Sequence, residues 1–322
     1  MSRFEKPVVV VSKCIEFEKC RYNGLGVASE TVKALMDHVQ FVPVCAEVEI
    51  GLGVPRDPIR VARAGGGLRL LQPSTGLDFT GDMKRFAASY LGSLAEVDGF
   101  ILKSRSPSCG IKDVKVFAGA EKQAAVDKGA GFFGGAVVER FPGYPVEDEG
   151  RLLNFRIREH FLTSLFALAR FRAVRRSGMM RDLVEYQARN KLLLMSYSQK
   201  EMRLLGKIVA NAEKLRMPDV LRLYEERLRA AFAKPAKHTS NINVLMHALG
   251  YFSDSLSTRE KTFFLESLER YRGGKIPLSA TLSVVTSWLA RLPNEYLEKQ
   301  TYFDPYPEAL VEITDSGKGR DL

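Results

Sequence analysis

Four cysteines are the residues of this 322-residue sequence best suited to metal chemistry, and all lie within its first 110 residues, at Cys14, Cys20, Cys45 and Cys109. Thiolates bind soft metal ions, and cysteines scattered through a core would not be expected to gather in one third of a chain. Disulfides are disfavoured in a reducing cytoplasm, where we place this chain. We therefore expect a site that several of these thiols share.

The spacing of the cysteines leaves the kind of metal open. Structural zinc commonly uses CxxC pairs, and the sequence has none, although all four thiolates together could still bind zinc. Three thiolates on an iron–sulfur cluster would leave one iron with an open position, which suits a soft sulfur ligand. Buried, inert thiols are a third alternative. Residue chemistry alone does not choose between a cluster and a zinc ion.

Strands are predicted close to three of the cysteines. Apolar runs and turn signals predict strands at 7–12, 40–45, 99–104 and 143–146, helices at 29–38, 80–94 and 121–129, and a long loop at 49–67. Strands that alternate with helices predict an α/β fold with a Rossmann-like, mainly parallel sheet. Because ligands gather at the carboxyl ends of parallel strands, we expect Cys14, Cys45 and Cys109 to project into one crevice, with Cys20 in reach.

The second half of the sequence is helical and basic. From Glu159 onward, apolar residues recur every three or four positions, which predicts an all-α C-terminal domain; a boundary near Gly150 gives domains 1–150 and 151–322. The first domain contains 19 basic and 19 acidic side chains, whereas residues 151–250 contain 20 and 8. This contrast is typical of a catalytic unit joined to a polyanion-binding unit, although a solvated basic surface has the same composition. The candidate phosphate-binding residues are Arg172, Arg175, Arg176, Arg189, Lys191, Arg203 and Lys207.

No part of the sequence is typical of a membrane or secreted protein. No apolar run approaches the roughly 18–20 residues that span a bilayer. The apolar run near the N-terminus is too short for a signal peptide and is not followed by a small-residue cleavage site. We therefore expect a cytoplasmic protein that does not bind membranes, and no feature of the sequence predicts its oligomeric state.

Three motifs surround the cysteines. They are Ser12-Lys-Cys14 with Cys20-Arg-Tyr-Asn-Gly24, Val44-Cys-Ala-Glu47 with Gly51-Leu-Gly-Val-Pro-Arg-Asp-Pro58, and Leu102-Lys-Ser-Arg-Ser-Pro-Ser-Cys-Gly110. In type, order and spacing they resemble the motifs of the thiouracil desulfidase (TudS) family, over residues 6 to about 150. The third motif is long and specific, so the resemblance is unlikely to arise by chance.

Motifs of the second half resemble the helical domain that is fused to such a domain in two-domain thiouridine desulfidases of the RudS type. They occupy residues 238–247, 250–252, 260–261, 271–272, 276–278 and 300–307. The resemblance implies that the helical domain binds RNA and that the substrate is 4-thiouridine in tRNA.

The first resemblance also implies a [4Fe–4S] cluster that is held by Cys14, Cys45 and Cys109 and keeps one iron open. In such an enzyme the sulfur of the thiolated base binds the open iron, water attacks C4, and sulfide leaves without net electron transfer. The family's acid/base glutamate corresponds to Glu47 and its active-site serine to Ser106. We expect Ser106 to orient the carboxylate by a hydrogen bond, or else only to form the turn before the next proline.

Several of these residues also have a simpler structural interpretation. Cys20 is either an extra ligand or an incidental thiol, and Glu47 is either catalytic or a surface carboxylate paired with an arginine. Lys103, Arg56 and Arg60 are candidates for substrate contact, or else they form salt bridges and anchor loops.

Two positions depart from the family's motifs. Ala46 replaces the usual proline, so the turn before Glu47 is less stiff. A run that often reads FHARHK is here Tyr186-Gln-Ala-Arg-Asn-Lys191, so any role that rests on its two histidines is absent. His238 and His247 remain in the helical domain's motif, where we expect them to be buried and hydrogen-bonded.

These observations lead to three hypotheses. The first is a cluster-dependent hydrolytic desulfidase that converts 4-thiouridine in tRNA to uridine. The second is the same chemistry on free thiouracil or thiouridine nucleosides, and the third is a non-catalytic iron–sulfur protein that binds RNA or acts as a sensor. The net charge of +12 over residues 151–250 favours the first over the second, because a free base needs no such segment. Glu47 and Ser106 favour an enzyme over the third.

Overall fold

The computed structural model describes residues 4–119 and 124–312, which divide into two compact units. One unit runs to Ala169 and resumes at Ala309, and the other spans Arg170–Glu308. This division falls within one long helix, downstream of the boundary that we predict near Gly150.

Nine strands are present in the described part of the first unit. In chain order they are β1 (Val8–Ser12), β2 (Gln40–Val44), β3 (Arg60–Ala64), β4 (Gly67–Gln72), β5 (Leu77–Asp78), β6 (Gly99–Leu102), β7 (Val114–Phe117), β8 (Ala125–Gly129) and β9 (Val146–Asp148). The accompanying helices are α1 (Glu30–Leu35), α2 (Ala46–Glu49), α3 (Thr80–Ser93), α4 (Phe132–Arg140), a 3-10 turn (Arg151–Leu153) and the first part of α5 (Phe155–Ser177).

The first sheet is parallel, with the strand order β2-β1-β6-β9. Its strand β1 is the run Val-Val-Val-Val-Ser and is buried at every position, as expected for a strand that is covered on both faces. Ser12 pairs with Val44, and Val11 pairs with Ile101, so β1, β2 and β6 end side by side. The predicted α/β fold with a parallel sheet is confirmed.

A second, mixed sheet with the order β5-β4-β3-β7-β8 was not predicted. β3 forms a hairpin with β4, and β3 and the turn lie where we predict a loop. The turn is Gly65-Gly66, whose φ angles of 58° and 77° suit a two-residue hairpin turn. β8 lies where we predict a helix, so that prediction is wrong at 125–129, while 121–123 lie outside the described residues. Antiparallel pairing with β7 outweighs the helical preference of alanine and lysine there.

The second unit is helical, as predicted. It contains the end of α5, then α6 (Met180–Arg189), α7 (Lys191–Tyr197), α8 (Gln199–Ala210), α9 (Met217–Ala231), α10 (His238–Gly250), α11 (Thr258–Arg272), α12 (Leu278–Arg291) and α13 (Glu295–Glu298). A second 3-10 turn, Glu308–Leu310, follows these helices. Among the described residues of the whole chain, no helix is both long and apolar enough to cross a bilayer.

Aromatic rings and a buried hydrogen bond organise the core of the helical unit. The ring of Phe171 stacks on Tyr224 with 5.3 Å between centroids, and Trp288 packs edge-on against Phe264 at 4.9 Å. Gln187 accepts a 2.5 Å hydrogen bond from the Tyr224 hydroxyl. The position where the family often has histidine therefore serves internal packing in this chain.

The histidines of α10 differ from expectation. His238 is the first residue of the helix and His247 lies in its last turn, and both side chains are exposed. The prediction that they are buried is therefore wrong. The apolar positions of α10, such as Val244 and Leu245, occupy the buried face, so the histidines are left on the other side.

Candidate active site

The three cysteines predicted as ligands line one cavity at the carboxyl edge of the parallel sheet. Cys14 follows β1, Cys45 follows β2, and Cys109 lies in the loop after β6. All three are buried, and the cavity they line has a volume of about 370 Å³. Cys20 lines the same cavity and is also buried. The sheet register thus brings together four thiols that are far apart in the sequence.

The loop that carries Cys109 is held by short polar contacts. The Ser106 hydroxyl accepts hydrogen bonds from the backbone N–H groups of Ser108, at 3.3 Å, and Cys109, at 3.1 Å. The start of α4 lies against the loop, where a Cβ at Gly134 would approach the Cys109 carbonyl oxygen to 2.4 Å. A glycine is therefore required at that position for the cysteine loop to keep its place.

Burial raises the pKa of three of the thiols. Desolvation is the first cause in each case, and it raises the pKa of Cys20 to about 12, that of Cys109 to about 11, and that of Cys14 still further. Neighbouring thiols add to the effect because thiolates repel each other. A positively charged metal centre would replace these protons and relieve the repulsion.

The chemistry of the donor set fits an iron–sulfur cluster. Within residues 4–119 and 124–312, no three His, Cys, Asp or Glu side chains are grouped closely enough to hold one ion. Soft, buried thiols on the wall of a single cavity, without imidazole among its described lining residues, are the ligands that such clusters use.

Glu47 lies on the wall of the same cavity and is almost fully buried. It is the second residue of α2, directly after Cys45 and Ala46. Its Oε2 accepts hydrogen bonds from Arg56 Nε at 2.8 Å and Nη2 at 2.6 Å, and its Oε1 accepts one from Ser108 Oγ at 2.6 Å. The carboxylate is therefore held in one orientation, in partial contact with the cavity.

The role predicted for Ser106 belongs to a different serine in the structure. Ser106 lines the cavity but bonds to Ser108 Oγ, at 2.9 Å, rather than to Glu47. Ser108, which we did not predict, is the hydroxyl that contacts the carboxylate. The prediction that Ser106 orients Glu47 directly is corrected accordingly, because the turn aims Ser106 at its own backbone. The only signal for Ser108 was its position next to Cys109 in the same motif.

The predicted substrate cations are mostly engaged within the protein. Arg56 also donates from Nη1 to the carbonyl oxygens of Cys20, at 3.1 Å, and Gly53, at 3.0 Å, which supports a loop-anchoring role. Lys103 lines the cavity, but its Nζ forms an ion pair with Glu149 at the end of β9. Arg60 is not among the lining residues of the cysteine cavity, and its guanidinium lies 4.6 Å from the centroid of the Phe117 ring in a neighbouring cavity.

The predicted RNA-binding arginines do not form one exposed face. Arg172 is only 4% exposed, so the prediction that it contacts a polyanion is corrected: its side of α5 faces the protein interior. Arg175 pairs with Glu225 at 3.3 Å, and Arg189 pairs with Glu185 at 3.4 Å. Two further predicted residues, Arg176 and Lys191, are exposed.

Comparisons with known proteins agree with both halves of the structure. Residues 9–149 match the family model of 2-thiouracil desulfurase, and residues 191–307 match that of a protein of unknown function, DUF1722. The chain is 31% identical over 164 residues to the uncharacterized protein YbgA of Escherichia coli (strain K12), covering 50% of this chain and 96% of that protein. It is 32% identical over 139 residues to the uncharacterized protein YbbK of Bacillus subtilis (strain 168), covering 39% of this chain and 92% of that protein.

A solved structure of a [4Fe-4S]-dependent thiouracil desulfidase TudS (DUF523Vcz) is 30% identical, over 46% of this chain and 93% of that chain. Its TM-score of 0.37 is too low for a structural argument. The resemblance inferred from the motifs of the first half is confirmed by the family model. The chain therefore belongs, through residues 9–149, to the 2-thiouracil desulfurase family, and it carries a DUF1722 domain at residues 191–307.

Proposed function

We propose that this protein is an iron–sulfur-dependent desulfidase that converts 4-thiouridine in tRNA to uridine. The observation that carries the proposal is the convergence of Cys14, Cys45 and Cys109 on one cavity whose wall also presents the buried carboxylate of Glu47. One water is consumed and one sulfide is released for each base, so no electron donor is required.

In this proposal Cys14, Cys45 and Cys109 hold a [4Fe–4S] cluster. When bound, such a cluster with one open iron supplies a thiophilic Lewis acid that polarises a carbon–sulfur bond. Cys20 lines the same cavity, and its carbonyl oxygen accepts a hydrogen bond from Arg56 and lies 3.9 Å from Cys45 Sγ. We assign Cys20 to the support of the site.

Glu47 moves the proton of the attacking water. Arg56 occupies Oε2, so the oxygen available for proton transfer is Oε1, which Ser108 holds in place. Ser106 in turn fixes Ser108 and the backbone of Cys109, so it acts as a positioning residue. A carboxylate whose two oxygens are held separately is oriented for general acid/base chemistry.

The choice of tRNA rests on the basic helical unit. Three exposed side chains of α8 lie at positions i, i+3 and i+7 and therefore share one face of the helix: Lys200, Arg203 and Lys207. None of them forms an ion pair with the described part of the chain, which leaves their charges available to phosphate groups.

Replacing Lys200, Arg203 and Lys207 together by Gln is expected to weaken tRNA binding and to lower the slope of log Kd against log salt by about 2–3, or roughly 0.9 per lost phosphate contact. Binding of unmodified tRNA at several salt concentrations measures the slope. Replacing Arg259, Arg270 and Lys275, which are also exposed cations of the helical unit, removes the same charge and serves as the matched control. An unchanged slope in the α8 variant would remove that face from the proposal.

The proposed activity is tested with tRNA that contains 4-thiouridine. Anaerobically reconstituted protein is expected to erase the 4-thiouridine absorbance and to release one equivalent of sulfide, and protein without iron is expected to do neither. Free thiouracil and thiouridine are assayed in parallel. Conversion of these small molecules alone would assign the activity to them and not to tRNA. If none of the substrates releases sulfide, the protein is not a desulfidase.

A further inference from the structure

A second cavity lies beside the cysteine cavity. It has a volume of about 450 Å³ and shares Ile59, Arg105 and Pro107 with the cysteine cavity. Its other lining residues come from the mixed sheet and the loop before it, and they are Arg60, Asp113, Val114, Lys115, Phe117 and Lys128. We call this space the basic cavity.

Positive charge dominates the basic cavity. Four cationic side chains line it, Arg60, Arg105, Lys115 and Lys128, against the single carboxylate of Asp113. Lys128 lies 3.9 Å from that carboxylate, so one of the four charges is compensated. Because four cations face a single carboxylate, this concave site attracts and concentrates anions.

Arg105 stands between the two cavities. It lines both of them, its side chain is exposed, and it has no acidic partner among the residues that the structure describes. Its φ of 57° places a long side chain in the left-handed region, at a cost of about 1–3 kcal/mol. Strain of this kind persists mainly at functional sites, where a side chain is needed in one place, and therefore indicates that the Arg105 guanidinium binds a ligand.

We propose that the basic cavity binds the sugar–phosphate backbone of the nucleotide next to the thiolated one, with Arg105 on the phosphate that links them. This inference rests on the proposed desulfidase function. A guanidinium matches the geometry of a phosphate group, and lysines add unspecific attraction. At about 450 Å³ the basic cavity is large enough for a whole ligand and not only for one phosphate. The substrate is thus recognised as a polynucleotide.

Arg105→Asn tests the linking phosphate without loss of the fold. Asn adopts positive φ more readily than Arg, so the variant is expected to melt no lower than the wild type. The ratio of kcat/KM on a thiouridine-containing tetranucleotide to that on free thiouracil is expected to fall by about 10–100-fold, as for a lost charge-assisted hydrogen bond. Arg63→Asn is the control, because Arg63 lies on the same strand as Arg60 but pairs with Asp127 and lines neither cavity.

Lys115→Gln tests the contact with the neighbouring nucleotide, because Lys115 lines the basic cavity but not the cysteine cavity. We expect kcat/KM to fall about tenfold on the tetranucleotide relative to thiouridine 5′-monophosphate, which cannot fill the basic cavity. Equal losses on both substrates would overturn the assignment of the cavity to a flanking nucleotide.

Binding provides a readout that does not need turnover. The slope of log Kd against log salt for an unthiolated tetranucleotide is expected to drop by about 0.7 in each of the two variants, the value for one single-strand phosphate contact. Unchanged slopes would overturn the inference even if the enzyme is active. If the wild type releases no sulfide from any substrate, the proposed function fails, and the slopes still decide whether the basic cavity binds nucleic acid.

Discussion

Cys109→Ser is expected to abolish both cluster binding and desulfidation. Cys109 is 6% exposed, and its loop is fixed by Ser106 and by the start of α4, so the side chain at position 109 keeps its place in the cavity wall. A serine hydroxyl is a harder and much poorer iron ligand than a thiolate. The loss of iron affinity should exceed the roughly 10–100-fold that removal of an outer-shell partner costs. The loss of the cluster is measured by the iron and sulfide content per chain after anaerobic reconstitution and by the visible absorption spectrum.

Cys20→Ser is the matched control for this substitution. Cys20 is a buried thiol of the same cavity, and the proposal places it outside the ligand trio. The Cys20→Ser variant is expected to retain iron and activity. Melting temperatures of both variants distinguish a loss of folding from a loss of iron ligation. If Cys20→Ser loses iron as completely as Cys109→Ser, the cluster has four protein ligands and no open iron. Stoichiometric zinc in place of iron would likewise contradict the cluster.

Glu47→Gln is expected to lower kcat by about 10²–10⁴-fold, the range of general acid/base catalysis, while iron content stays unchanged. The amide oxygen of Gln can still accept the hydrogen bond from Ser108, so that contact is preserved. What the variant loses is the capacity to take a proton. Single-turnover release of sulfide from thiolated tRNA, with iron measured in the same samples, separates chemistry from cluster loss.

Two control variants, Glu49→Gln and Ser108→Ala, distinguish a loss of proton transfer from a purely structural effect. Glu49→Gln, at the end of the same helix, changes an exposed carboxylate and should leave kcat unaltered. Glu47→Gln also leaves the buried guanidinium of Arg56 without its anion, which typically costs about 3–5 kcal/mol, so its melting temperature is expected to fall. Ser108→Ala keeps that ion pair and should lower kcat by a smaller factor. A loss of iron in proportion to activity in Glu47→Gln would assign Glu47 to cluster support.

The local sequence was sufficient for the elements that position the thiols. Strand β1 consists of four valines followed by Ser12, and a short, continuous apolar run of this kind is typical of buried parallel strands. Cysteines placed directly after such strands must meet at one edge, since parallel strands all end there. The convergence of Cys14 and Cys45 was therefore predictable from short-range patterns alone.

Elements that depend on partners were less predictable. Apart from Val126, β8 is made of residues with no strong strand preference, and it is exposed along most of its length. Its conformation comes from antiparallel pairing with β7, a contact that no local pattern encodes. The hairpin of β3 and β4 was concealed in the same way, because its glycines indicate a turn but not the strands on either side.

The sequence by itself determined the chemistry available to this protein: three thiols at strand ends, one nearby carboxylate and a basic helical half. Only the tertiary structure decided how these groups are used. It turned Ser108 and not Ser106 toward Glu47, committed Arg56 to an ion pair, buried Arg172, and placed Arg60 and Arg105 around a second cavity. The physical reason is that residue type and spacing fix which element a side chain is on, whereas its hydrogen bonds and burial depend on distant segments packed against that element.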